Sequence, residues 1–163
     1  VSWTTPAVPP QQRRSAMHGE SGYERRKDDA YYTEPWVTRA LLAKHPLRGR
    51  VWDPAAGRGD MTKEFLAAGY EALGTDINDP IPRDFFRVST LPFSDIESIV
   101  TNPPYSHAED FLVWALHLTK PCRGVVAMLF RNEWDSAGSR REHFESGPFA
   151  CKLVLTRRPR WSW

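Results

Sequence analysis

The chain has 163 residues, 40% of them hydrophobic and 26% charged, with a net charge of +2. That is enough chain for one domain with a real core, of ordinary globular composition. So small a net charge argues neither for nor against a nucleic-acid partner, and no apolar run approaches the ~18–20 residues that a membrane-crossing helix needs, so no membrane partner is expected.

Residues 1–28 are rich in Pro, Gln, Arg, Ser and Gly without apolar periodicity, which predicts a flexible arm ahead of a single domain over 29–163. The N-terminus "VSWTTPAVPPQQRR" is polar and Pro-rich, so no secretory leader is expected. In "YYTEP" (31–35), Thr33 fits a helix N-cap, with Pro35 at an early helical position. "RVWD" (50–53) predicts a short strand, followed by a Gly-rich turn and a helix over Met61–Ala68. "EALGTDI" (71–77) and "ESIVTN" (97–102) predict two further strands. Ala108–Leu118 has the spacing of an amphipathic helix, with Phe111, Leu112, Ala115 and Leu118 on one face. "GVVAMLFR" (124–131) reads as a buried strand and "CKLVLT" (151–156) as another, before the basic and aromatic tail "RRPRWSW". Strands separated by helices predict an α/β fold, a mostly parallel sheet with helices on both faces. Cys122 and Cys151 fit no metal spacing and read as small apolar residues of a reducing, cytoplasmic compartment; with five scattered His, no metal is expected.

In a parallel sheet ligands gather at the carboxyl ends of the strands. Here the strand ends carry the most unusual stretches of the sequence: "DPAAGRGD" (53–60), "TDIND" (75–79) and "TNPPY" (101–105). Gly57 and Gly59 permit a tight turn and close approach of a ligand to the backbone, and the following helix turns its free N–H groups to the same place. The third glycine of a dinucleotide-binding loop is missing, and the leading Asp53 suits a cationic ligand better than a pyrophosphate. Asp76 stands 17 residues after Gly59, close to the spacing of a ribose-binding carboxylate, whose two oxygens accept from vicinal hydroxyls. Asp79 competes for the same role from within a turn. Asn102-Pro103-Pro104-Tyr105 stops a strand abruptly, since two prolines neither continue a ladder nor open a helix turn.

The combination of these three stretches resembles the S-adenosylmethionine-dependent amino-methyltransferases, most of all DNA N6-adenine methyltransferases of phage or prophage type, over roughly residues 29–163. The resemblance implies a Rossmann-like sheet completed by a final antiparallel strand, which this sequence does not supply after "CKLVLT". It implies S-adenosyl-L-methionine as cofactor: Asp53, Pro54, Ala55, Gly57 and Gly59 along its methionine part, Asp76 at the ribose, Asp84 toward the exocyclic amine of its adenine and Phe85 toward the ring, with Ile77 also among the cofactor-binding residues. By the same likeness Tyr32, Thr33 and Pro35 touch the cofactor from upstream. The tetrapeptide Asn102, Pro103, Pro104 and Tyr105 is the implied catalytic element. An adenine amino group is a poor nucleophile because its lone pair is delocalised into the ring. Two acceptors aimed at its N–H bonds, the Asn102 side-chain oxygen and the Pro103 carbonyl, free that lone pair. The prolines hold the carbonyl in place beforehand, and Tyr105 offers a stacking face. A base in a duplex has to be flipped out to reach them.

The implied partner is therefore DNA. The motif order belongs to a subclass that carries a large target-recognition domain, and none fits here. The arm with Arg13, Arg14, Arg25, Arg26 and Lys27, and Arg131, Arg140, Arg141, Arg157, Arg158 and Arg160, are the candidate phosphate contacts; Trp134 and Trp161 are candidates for base stacking, with core packing as the alternative. The tetrapeptide serves equally for adenine in RNA or a glutamine amide in protein. An inactive chain that keeps the fold, or a plain nucleotide-binding module, is the alternative of another class; the absence of a G-x-x-x-x-G-K-[ST] loop speaks against the latter.

Overall fold

Four short strands alternate with helices through the described part of the computed structural model, which covers residues 32–81, 83–145 and 147–159. The expected arm at 1–28, and Arg160 and Trp161 of the tail, lie outside it. The strands are β1 (Arg50–Asp53), β2 (Ala72–Gly74), β3 (Ile96–Thr101) and β4 (Val125–Met128); the helices are α1 (Pro35–Leu42), α2 (Asp60–Ala67), α3 (Ala108–Thr119) and a single turn, α4 (Arg141–Glu145). The sheet order is β2-β1-β3-β4, and every pairing is parallel. The fold class is α/β, as expected. Because the chain runs from β1 outward to β2 and then returns to place β3 on the other side of β1, the direction of winding reverses between β1 and β3. That is the topological switch point of the sheet, where the carboxyl ends of two strands open a crevice.

The two faces of the sheet follow from strand alternation. Trp52 and Ile99 point to one side, where they pack with Ile96, Phe85 and the α3 residues Phe111, Trp114, Ala115 and Leu118. Val51 and Val100 point to the other, against Leu47, Met61 and Phe65, with Leu41 and Leu42 of α1 behind them. Trp52, Phe65 and Ile99 are fully buried, and each such side chain contributes roughly 1.5–3 kcal/mol through burial. Helix α1 is tied to α2 by a two-pronged ion pair, Arg39 Nε to Glu64 Oε2 at 2.6 Å and Arg39 Nη2 to Glu64 Oε1 at 3.1 Å.

The sheet ends at β4, and here an expectation fails. Residues 151–155 form no strand. Leu153 and Val154 are 43% and 60% exposed. A strand exists only by pairing, and this run pairs with no strand among the described residues; together with Val125–Met128, Leu153–Leu155 line a cavity of about 1370 Å³. Its anchor is polar instead, Lys152 Nζ donating to Asn132 O at 2.9 Å and Asp135 Oδ2 at 2.8 Å. Cys151 is exposed rather than packed as a small apolar residue, while Cys122 is half-buried with its thiol on Thr119 O at 3.2 Å. No helix among the described residues is long and apolar enough to cross a membrane.

Candidate functional site at the strand ends

Strand β1 ends in Asp53, and Pro54 stops it. The side chain is 1% exposed. Its Oδ1 accepts from Thr101 Oγ1, the last residue of β3, at 2.7 Å and from Ala55 N–H at 3.2 Å. Thr101 is itself locked by the segment after β4, its carbonyl accepting from Leu129 N–H at 3.0 Å. Burial pushes the Asp53 carboxyl from an ordinary 3.8 up to about 7, the charge of nearby Asp76 adds to the rise, and the bonds from Thr101 and Ala55 work against it. An anion held this far from water favours either a proton or a neighbouring cation.

The loop after Asp53 turns through Gly57 and Gly59, at φ +52° and +76°. Both are left-handed conformations that a side-chain-bearing residue resists by roughly 1–2 kcal/mol. Gly57 N–H donates to Asp76 Oδ2 at 2.8 Å. The other oxygen of Asp76 accepts from Asn78 N–H at 2.9 Å and Asn78 Nδ2 at 3.1 Å. Asp79 plays a different part, since its Oδ2 accepts from Asp76 N–H at 2.8 Å and closes the turn. The two aspartates thus sit differently. Asp76 faces the glycine loop, and Asp79 holds the backbone beneath it.

Strand β3 ends in Thr101, and Asn102 follows. The Asn102 Nδ2 group donates to Thr33 Oγ1 at 3.1 Å, and Oδ1 lies beneath the surface. Pro103 is buried, and Pro104 O accepts from His107 N–H at 2.9 Å to start the short 3-10 turn Tyr105–His107. Thr33 is 6% exposed. It is not the N-cap of α1: Glu34 occupies that position, with Pro35 at the helix start. The hydroxyl serves Asn102 instead. Tyr32 lies over the glycine loop, close enough that a Cβ on Gly57 would sit 3.7 Å from its ring, and Arg58 Cζ is 3.5 Å from the ring centre. The upstream segment 32–33 thus bridges the first loop and the tetrapeptide.

The remaining residues expected at the cofactor divide. Ile77 is 59% exposed. With Arg83, Asp84, Arg87 and Val88 it lines an open cavity of about 470 Å³. Asp84 accepts from Phe86 N–H at 3.0 Å and so begins a 3-10 turn. Phe85 is 3% exposed and belongs to the core, edge-on to Trp52 with ring centres 5.3 Å apart and stacked on Phe111 at 4.8 Å. It does not line the cavity.

Among the candidate phosphate contacts, Arg131 lies over the Tyr105 ring with Cζ 5.0 Å from its centre, and Arg157 lies over Trp36 at 5.1 Å. Arg140 is held by Trp134 O at 2.8 Å and Glu109 at 3.5 Å, and Arg141 pairs with Glu145 at 2.6 Å. Trp134 is packed, 9% exposed and stacked on Phe130 at 4.1 Å. Reading the sequence missed Thr101, Asn78 and Arg58. Thr101 had a signal: it is the last residue of the strand that ends at the tetrapeptide, as Asp53 is of the strand before the glycine loop. Among the described residues no group of His, Cys, Asp or Glu is placed to hold a metal ion. No family model matches this sequence, and no curated protein or solved structure matches it.

Proposed function

We propose that the chain transfers a methyl group from S-adenosyl-L-methionine to the exocyclic N6 amine of adenine in DNA, as a Rossmann-like amino-methyltransferase. The observation that supports this best is the hydrogen-bonded convergence, at the switch point of the sheet, of Asp53 with Thr101, Gly57 with Asp76 and Thr33 with Asn102.

The residues present fit such a cofactor. Asp53 is a desolvated carboxylate whose ionised form a cation would favour. A carboxylate offers about four acceptor positions, and Asp76 already fills three of them. Binding two ribose hydroxyls there exchanges at least one bond, to Gly57 or to Asn78. The cavity between Ile77 and Asp84–Val88 has room for a planar base. When bound, S-adenosylmethionine supplies a methyl group on an electron-poor sulfonium. Asn102 Oδ1 and the Pro103 carbonyl accept from the two N–H bonds of the target amine and leave its lone pair available for attack. Asn102 Oδ1 is buried in this structure, so the tetrapeptide has to open toward the target before the amine can reach it. Tyr105 bears the flipped base on its ring, which requires Arg131 to share or yield that face. Exposed Arg158, and Arg131 once drawn from the ring, supply phosphate contacts.

The test is incubation with methyl-labelled S-adenosylmethionine and DNA, RNA or protein in parallel, with mass detection of the modified group. N6-methyladenine in DNA is the expected product, and Asn102→Ala should abolish it while cofactor binding persists. Label on a protein glutamine or only on RNA would overturn the choice of DNA. No transfer to any of the three, or an Asn102→Ala variant turning over at the wild-type rate, would overturn the mechanism.

A further inference from the structure

This inference deepens the methyl-transfer reading by naming the state of the acceptor strand, and it rests on that reading for the base carried by Tyr105. The cavity of about 1370 Å³ is lined by Tyr105 and Arg131 as well as by β4 and the 151–155 run, so it reaches the tetrapeptide. Its volume exceeds the ~300–1,000 Å³ of a small-molecule site and suits a polymer. Two rings that line it are open to a ligand. Phe149 is 47% exposed and edge-on to half-buried Phe144, with ring centres 5.0 Å apart. Its charge is cationic, since Arg131, Lys152, Arg157 and Arg158 outnumber Glu133 and Asp135. Lys152 is engaged by Asp135, but Arg131, Arg157 and Arg158 are exposed, the first two resting on the rings of Tyr105 and Trp36. The segment that carries the aromatic lining is braced from α3. Glu109, in the first turn of that helix, holds His143 Nε2 at 3.1 Å and Arg140 Nε at 3.5 Å, and Arg140 lies over the Trp134 ring.

We propose that this cavity is a groove for single-stranded DNA, in which nucleotides flanking the target adenine stack on Phe149 and Phe144 while their phosphates meet Arg131, Arg157 and Arg158. Aromatic faces beside a row of cations are what an unpaired strand can use, because its bases present their faces and its backbone follows positive charge. A duplex keeps those faces stacked inside and shows its sequence in grooves that admit a helix or a ribbon. The helix that lends His143 and Phe144 to the cavity, α4, is a single turn and too short for that. An unpaired adenine also reaches Tyr105 without the cost of leaving its partner. A second copy of the chain is the competing occupant of the open edge of β4. Charge disfavours it, since two such linings brought together would place like charges opposite each other.

Binding is read by fluorescence anisotropy with labelled probes of one sequence, about 15 nucleotides long with one central adenine: single-stranded DNA, its blunt duplex, and the RNA strand. The single strand should bind at least about tenfold tighter than the duplex, which has to be unpaired first, and be methylated faster. Phe149→Ala should weaken single-strand binding about five- to hundredfold, the scale of one lost base stack. Arg158→Ala should lower the slope of log K against log salt by about 0.7. Arg48→Ala, at the opposite end of β1 and outside the cavity, should leave single-strand affinity unchanged. Calorimetry should show the affinity for S-adenosylmethionine unaltered in all three variants. Equal or tighter binding of the duplex overturns the proposal, as does unchanged single-strand affinity in a folded Phe149→Ala protein. Should that variant fail to fold, an unchanged salt slope in Arg158→Ala overturns it instead. Tighter binding of the RNA strand overturns the choice of DNA. A dimer in sedimentation that the single strand does not dissociate assigns the cavity to a second copy and also overturns it. A wild type that binds the single strand through Phe149 but methylates no acceptor overturns the reading beneath, whereas transfer to the duplex as fast as to the single strand overturns this inference alone.

Discussion

β1 and β4 are both four residues long, and β4 is the more apolar: Val-Val-Ala-Met against Arg-Val-Trp-Asp. Yet Val51, Trp52 and even Asp53 of β1 are buried, while every residue of β4 is only half-buried. Neighbours account for the difference. β1 has a strand on each side and packed elements on both faces, whereas β4 has β3 on one side and a wide cavity on the other. Burial in a sheet is conferred by position, and hydrophobicity only lowers its cost. The crowded centre is also where a carboxylate can be kept dry, which the open flank could not do.

The largest way to break this contrast is at its centre. Trp52→Ala removes the buried indole and its bond to Thr75 Oγ1 at 3.0 Å, and should lower unfolding free energy by about 3–5 kcal/mol in chemical denaturation. Next is Asp53. Its folded-state pKa is raised, so the folded protein holds this proton more tightly than the unfolded chain; stability is fully present below the ordinary 3.8 and is lost as pH rises toward about 7. Between about pH 5 and 8 this group should remove roughly 2–3 kcal/mol, and Asp53→Asn should flatten that slope. An equal slope in the variant would place the titration elsewhere. Asp76→Ala should weaken S-adenosylmethionine binding by about 1.5–3 kcal/mol for each charge-assisted bond lost, read by calorimetry; unchanged affinity in a folded variant removes Asp76 from the site. The smallest effects belong to the flank. Val126→Ala should cost about 1 kcal/mol, and Val154→Ser, at a 60% exposed position, less than about 0.5 kcal/mol. A penalty at Val154 equal to that at Val126 would mean that the 151–155 run is packed in solution after all.

The sequence was most legible where a residue type enforces a boundary. Pro54 ends β1 at Asp53, and Pro103-Pro104 end β3 at Thr101, so both strands could be placed within a residue and their ends assigned to one rim. Gly57 and Gly59 were legible for the same reason, since their positive φ angles exclude most other residues. What could not be read depends on partners far along the chain. The run "CKLVLT" has every local property of a strand and lacks only a neighbour. In "DFF" nothing local tells which ring points inward, and Phe85 is turned to Trp52 and Phe111 by the 3-10 turn that Asp84 starts. Thr33 fits a helix cap by pattern, but its hydroxyl is claimed by Asn102.

The all-parallel sheet has a consequence for how the chain reaches this state. Among the described strands none is joined to its neighbour by a hairpin: β1 meets β3 across more than forty intervening residues, and Thr33 meets Asn102 at a sequence separation of 69. Chains of such high contact order gain little from local structure and close their long loops before those contacts offset the lost freedom, so they fold slowly. Asp53 and Thr101 come together only when β1 and β3 have paired, and Asn102 gains Thr33 only when the most distant of these segments has docked. The rim should therefore be among the last parts of the molecule to form. In a refolding experiment, protection of the Asn102 side-chain amide should appear no earlier than protection of the β1 and β3 backbone amides.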